Sequence, residues 1–284
     1  SQPTMTVAQF MTADGEDDGA PDVRDGDITA NAANNKLILT DVPNGEPLGA
    51  TPVTEVNLTD VSVNVDVDVV VTDFVANSNF DISGGGGEST TLVGQGTTDM
   101  SAGALGTVDC VVLEDGAVLT LSEAQVQALV LSSPPDFQLS DVIKLAPGAT
   151  ATLNINGITG DFPGLDLNQL VDDWANGLDI GTLTIANTDG PVTLTDWTMG
   201  SADEIVTPTA DDSSPEFGVE QTSLILGMNQ FLDLDGIGFI SGDAEVSIIA
   251  VTNNNDSDDP GLEFDNLLID TSGITAPKGI FKLL

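Results

Sequence analysis

From Val61 to Val71 the chain reads VSVNVDVDVVV, with valine at every odd position and Ser62, Asn64, Asp66 and Asp68 on the even ones through position 68. Side chains alternate across a strand with a period of two, so this run lays one apolar face on a core and turns a polar face to water. A helix would scatter the same valines around all its sides. β-branched residues also suit a pleated surface better than a helix. Asp66 and Asp68 fall side by side on the wet face. Two carboxylates so placed can share a cation; they also keep a strand soluble and protected from edge pairing.

A second stretch, Gly106–Leu131, reads as strand, tight turn, strand and short helix. Val108, Val111, Val112 and Leu113 form an apolar run. Glu114-Asp115-Gly116 is a turn signal, because Gly accepts the positive φ of a short reversal. Ala117, Leu119 and Leu121 alternate with Val118 and Thr120. Ser122 stands three residues before Gln125, the spacing of a capping box, and Val126 and Leu129 fall on one helical face. The unit cannot bury both faces alone and needs a neighbour stacked on it. The theme returns with drift in VIKLAPGATATLNI (142–155) and LTIANTDGPVTLTD (183–196), an inexact internal repeat.

GTVDCVVLEDGAVLTLSEAQVQAL resembles the repeat units of large secreted bacterial surface proteins, the S-layer proteins and RTX-type adhesins exported by type I secretion. The resemblance covers this stretch well and residues 55–200 loosely. It implies an extracellular or cell-surface location and export through a C-terminal signal. The glycine-aspartate nonapeptides that bind calcium in RTX proteins are absent, so their calcium rolls are not carried over.

Charge narrows the partners. There are 46 acidic residues against five basic ones, Arg24, Lys36, Lys144, Lys278 and Lys282, for a formal net charge of −41. Such a field repels nucleic acid and anionic lipid, so no nucleic-acid partner is expected. It has to be offset by cations, diffuse or bound. Asp outnumbers Glu 35 to 11; Asp favours turns, caps and hard-cation sites, whereas Glu favours helix interiors. With 40 % hydrophobic residues the chain has material for a core. No run is apolar and long enough for a membrane span.

Cys110 is the only cysteine, which rules out an internal disulfide and a cysteine-based zinc site, and reads as a small buried hydrophobe. Histidine is absent, and with it the commonest general base. There is no nucleophile elbow and no phosphate-loop signature; Gly84–Gly87 lacks the basic residue and following helix of one. The 46 acids always supply pairs for glycoside hydrolysis, but with two Trp and ten Phe the aromatic lining of such clefts is scarce. The expectation is no enzyme, with no catalytic and no cofactor-binding residues assigned.

Four acidic groups are the metal candidates, with Ca²⁺ as the cofactor. Asn254, Asp256 and Asp258 alternate at i, i+2, i+4, like the opening of an EF-hand loop; Asp259 occupies the position where that loop needs Gly, so this is an acidic turn rather than an EF-hand. Asp233 and Asp235 precede Gly236. Asp14, Glu16, Asp17 and Asp18 form a third group, and Asp22, Asp25 and Asp27 a fourth.

The domain reading is an acidic N-terminal arm over 1–27 with a short helix around Thr6–Met11, a β-rich repeat-like domain over 28–205, a linker over 206–221, and a β-sandwich-like unit over 222–284. Strands are expected at Lys36–Thr40, Val53–Leu58, Ser223–Leu226, Gln230–Leu234, Ile237–Ile240, Glu245–Thr252 and Leu262–Ile269. A helix over Asp166–Asn176 places Leu167, Leu170, Val171 and Trp174 on one face. Trp174 is read first as core, with sugar stacking as the alternative. The start of the sequence lacks the basic and apolar regions of a signal peptide; either a signal has been removed or export uses the C-terminal end. The fold class expected is all-β, with a β-solenoid or stacked-hairpin middle region, a C-terminal β-sandwich-like unit and short helices. The function expected is a structural extracellular protein that self-assembles into a surface layer or filament, its partners copies of itself, its acidic surfaces bridged by calcium. The alternatives are a carbohydrate- or surface-binding module of an adhesin, with cell-surface glycan as partner, or a phage virion structural protein.

Overall fold

The structure is a computed structural model that describes residues 4–7, 10, 36–40, 42, 55–58, 61, 65–76, 80–84, 89–132, 142–167, 177–188, 190–198, 202–208, 223–227, 239–242 and 245–249. The chain divides into two compact units, Ser1–Asn154 with Gln169–Asp179, and Ile155–Asn168 with Ile180–Leu284.

The first unit is built on a six-stranded sheet. Its order is β1 (Thr4–Thr6), β2 (Lys36–Thr40), β4 (Asp66–Thr72), β6 (Thr90–Gln95), β8 (Cys110–Leu113) and β10 (Ile143–Leu145). Every neighbouring pair is parallel. The strands that intervene in sequence belong elsewhere: β3 (Glu55–Asn57) pairs with β5 (Asp81–Ser83), and β7 (Thr97–Asp99) with β9 (Ala117–Ser122), again in parallel. The alternation read from the sequence puts one face of each strand on the core. Leu39, Val69, Leu92, Val111 and Ile143 stand in register on five adjacent strands, and each is 2 % exposed or less. Burying each such side chain stabilises the fold by roughly 1.5–3 kcal/mol. Val7 and Phe10, beyond β1, are buried as well.

Helix α1 (Glu123–Ser132) follows β9 without a break. β11 (Ala151–Ile158) runs from the first unit into the second. β12 (Leu178–Ile185), which belongs to the second unit from Ile180 on, lies side by side with β14 (Glu204–Val206) and β16 (Phe239–Ser241), while β13 (Val192–Thr193), β15 (Ser223–Gly227) and β17 (Glu245–Ile249) lie beside one another, all parallel. Trp197 is buried in this unit, its Nε1 donating to the Phe162 carbonyl at 2.7 Å.

These pairings correct the expected fold class. The all-β solenoid or stacked-hairpin middle and the β-sandwich-like C-terminal unit are replaced by parallel sheets with one short helix among the described residues. The strand–turn–strand unit around Gly116 is not a hairpin: Leu113 of β8 pairs with Gly94 and Leu145, whereas Leu119 of β9 pairs with Thr98. At the far end of the chain β17 takes β15 as its parallel neighbour instead of closing an antiparallel sandwich sheet. The physical reason is that period-two alternation states which residues face inward and leaves the partner strand open. Alternation is the usual mark of antiparallel sheets; here parallel strands carry it because one face stays partly solvated (the β4 pattern alternates half-buried and buried).

No described helix is long and apolar enough to cross a membrane. Strands expected at Gln230–Leu234 and Leu262–Ile269, and Trp174, lie outside the described residues.

Candidate functional site

The twelve cation candidates, Asp14, Asp17, Asp18, Asp22, Asp25, Asp27, Asp233, Asp235, Asn254, Asp256, Asp258 and Asp259, all lie outside the described residues, as does Glu16. The described part shows what aspartate does elsewhere in this chain. Asp66 and Asp68 share the outer face of β4, but each has its own partner: Asp66 Oδ1 accepts from the Ser89 hydroxyl at 2.9 Å, and Asp68 Oδ2 meets Lys36 Nζ at 2.6 Å. The Lys36 side chain is 36 % exposed, so the ion pair contributes little.

At the turns, carboxylates reach the backbone of a segment distant in sequence. Asp73 Oδ1 accepts from the Thr97 N–H at 2.9 Å, Asp109 Oδ2 from the Thr90 N–H at 2.9 Å, and Asp196 Oδ2 from the Gly164 N–H at 3.0 Å. Asp115 Oδ1 accepts from both the N–H and the hydroxyl of Thr150. Asp99 Oδ1 does the same locally for Ser101. One methylene holds an Asp carboxylate close to the main chain, and bonds to an ionised acceptor are the stronger kind. Part of the Asp excess is therefore turn chemistry. Asp81 Oδ1 is buried and has no hydrogen-bond partner among the described residues; it stands on β5, whose Asp81 is in register with Glu55 of β3. A single oxygen does not make a cation site, and no group of three potential metal ligands occurs among the described residues.

A concavity lies between α1 and the loop that precedes β8. The predicted capping box forms: Gln125 N–H donates to Ser122 Oγ at 3.2 Å, and Ser122 N–H to Gln125 Oε1 at 2.8 Å. Gln125 does more. Its Nε2 donates to the Met100 and Gly103 carbonyls at 2.8 and 2.7 Å, tying the loop to the helix. The sequence gives no sign of those two bonds, because Met100 and Gly103 are brought there only by tertiary folding. The groove so formed measures about 380 Å³ and is lined by small and apolar residues such as Gly103, Val108, Ala128 and Leu129 together with the polar Thr107, Asp109, Ser122 and Gln125. Asp109 borders it with Oδ2 already bonded to the Thr90 N–H. Ala124 and Ala128 are exposed, and Leu131 is 71 % exposed.

Cys110 is half-buried on the outer face of β8, in register with Thr91. Burial pushes its thiol above the usual range; the Lys144 ammonium pulls the other way, and Asp109 and Asp68 add to the rise. A thiol so held is a poor nucleophile at neutral pH. The described aromatic side chains Phe10, Phe74, Phe80, Phe162 and Trp197 are all buried, with Phe74 and Phe80 stacked at a tilt 4.9 Å apart. None is offered to a ligand surface.

Scans against protein-family models, curated proteins and solved structures find no match to this chain.

Proposed function

We propose that this chain is a structural extracellular or cell-surface protein that assembles with copies of itself into a layer or filament, and that calcium bridges its acidic surfaces. The observation that carries the reading is the net charge of −41, with five basic residues against 46 acidic ones. Two such copies at contact lie within a Debye length of about 8 Å at physiological salt, so their repulsion is poorly screened. Bound divalent cations remove that repulsion where it is greatest, and hard oxygen donors are the ligands Ca²⁺ prefers. The bridging residues proposed are the acidic groups at 14–18, 22–27, 233–235 and 254–259. The likeness of residues 106–129 to surface-protein repeats supports the same reading. In the described residues, side chains are committed to packed rows and to turns, which suits a load-bearing role better than a reactive one.

The test is electron microscopy with light scattering on purified protein in about 5–10 mM calcium (well above the roughly 0.1–1 mM dissociation constants of weak extracellular sites), then in chelator at matched ionic strength. Ordered sheets or filaments that disappear with chelator are expected. A monomer unchanged in both conditions overturns the reading and favours a binding module of an adhesin.

A further inference from the structure

We propose that Asp115-Gly116 is a site of spontaneous isoaspartate formation that the fold holds shut, with Thr150 as the latch. The latch is independent of self-assembly. In an Asp-Gly pair the glycine nitrogen can attack the side-chain carbonyl carbon of the aspartate. The N–Cγ bond forms, the Cγ–OH bond breaks and water leaves, closing a five-membered succinimide. Water then adds at either ring carbonyl and returns aspartate or isoaspartate. Water is the only co-reactant, and nothing is oxidised or reduced. Glycine favours the step because it has no Cβ to hinder the approach. The chain holds six Asp-Gly pairs, at 14–15, 18–19, 25–26, 115–116, 189–190 and 235–236, and 115–116 is the one of which both residues are described.

Asp115 and Gly116 are both exposed, and a Cβ on Gly116 would meet nothing within 4 Å. Water and room are therefore at hand; what the pair lacks is freedom of the two reacting groups. The Gly116 N–H, whose nitrogen is the nucleophile, donates to the Thr150 carbonyl at 2.7 Å. Asp115 Oδ1 accepts from the Thr150 N–H at 3.0 Å and from its hydroxyl at 3.2 Å. One residue, 35 positions away, thus holds both partners of the reaction. The rest of the turn is fixed as well: the Ala117 N–H donates to the Glu114 carbonyl at 3.0 Å, and the Val118 N–H to the Gly96 carbonyl at 2.8 Å. For the ring to close, the nitrogen must leave the Thr150 carbonyl and the carboxyl must turn away from the Thr150 donors, so the reaction passes through a local opening. The latch works once. Isoaspartate routes the main chain through Cβ, lengthening the backbone by one atom and shortening the side chain by one, and its carboxylate no longer meets Thr150. An opening of this turn is thereby recorded as a lasting chemical change.

The experiment keeps the full chain at neutral pH for weeks, folded and in urea, beside a synthetic peptide of residues 110–121. Peptide mapping with enzymatic methyl labelling of isoaspartate follows position 115. Isoaspartate is expected to form in the folded chain at least about tenfold more slowly than in urea or in the peptide, the scale of opening two or three net hydrogen bonds. Asp115→Asn gives a faster clock, since an Asn-Gly pair closes the same ring with loss of ammonia, and the same gap is expected there. Hydrogen exchange of the Gly116 amide is expected to be slowed in the folded chain. Equal rates at 115 in folded chain and urea overturn the latch, as does a Gly116 amide that exchanges as fast as in the peptide. No isoaspartate at 115 even in urea and in the peptide overturns the site itself.

Discussion

Gly96 and Gly116 occupy equivalent turns, each with positive φ (59° and 74°), yet they face different surroundings. A Cβ at Gly96 would collide with Asp73 Oδ1, the oxygen that accepts the Thr97 N–H; at Gly116 it would meet open space. Gly116→Ala is therefore expected to cost about 1 kcal/mol, the penalty of left-handed backbone alone. Gly96→Ala is expected to cost that plus the displaced carboxylate bond, about 3 kcal/mol together. Urea unfolding of the two variants checks the difference, and equal losses would contradict the assigned role of Asp73. The Asp-Gly pair at 115–116 was legible as a turn, but the acceptor role of Asp115 towards Thr150 was not, since nothing local links the two. For Cys110 the raised thiol predicts slow labelling by a maleimide or disulfide reagent at pH 7–8 and faster labelling as pH rises. Labelling at the rate of a free thiol in native protein would refute it.

Among elements, α1 shows how far local signals reach. Its start was readable from Ser122 and Gln125, because a capping box is contained in four residues. Its tertiary anchor was not. Gln125→Glu keeps an oxygen for the Ser122 N–H but sets oxygen against the Met100 and Gly103 carbonyls. It is expected to cost about 2–4 kcal/mol, whereas Ser122→Ala, which removes the cap alone, costs about 1 kcal/mol. Chemical denaturation orders the two, and a Glu variant no worse than the Ala variant would remove Gln125 from its anchoring role. In the second unit, Trp197→Phe leaves the Phe162 carbonyl without that donor and opens space in the core. A loss of about 2 kcal/mol is expected, read as a lower unfolding midpoint.

At the scale of the whole molecule, charge sets the response to solution conditions. Self-repulsion at −41 destabilises a compact state, and added salt screens it. The unfolding temperature is expected to rise from 10 mM to 1 M NaCl, across which the Debye length falls from about 30 to about 3 Å. If the acidic groups bind calcium, millimolar Ca²⁺ raises it further at equal ionic strength, since a ligand bound only to the folded state stabilises it. Calorimetry with calcium against matched NaCl separates the two; identical curves would leave screening as the whole effect.

Which residues turn inward is written in the side-chain pattern of each strand. Val61, Val65, Val67, Val69 and Val71, Leu37 and Leu39 of the strand Lys36–Thr40, and Ala117, Leu119 and Leu121 are all buried in the structure. Alternation is a property of one strand, carried by its own side chains. Partner and direction were decided only by tertiary structure. β8 and β9 are contiguous through a turn that looks like a hairpin turn, yet each pairs in parallel with strands remote in sequence. Hydrogen-bond ladders join main chains, which are alike at every residue, so the choice lies in how whole apolar rows stack into one core, and no local stretch contains that information.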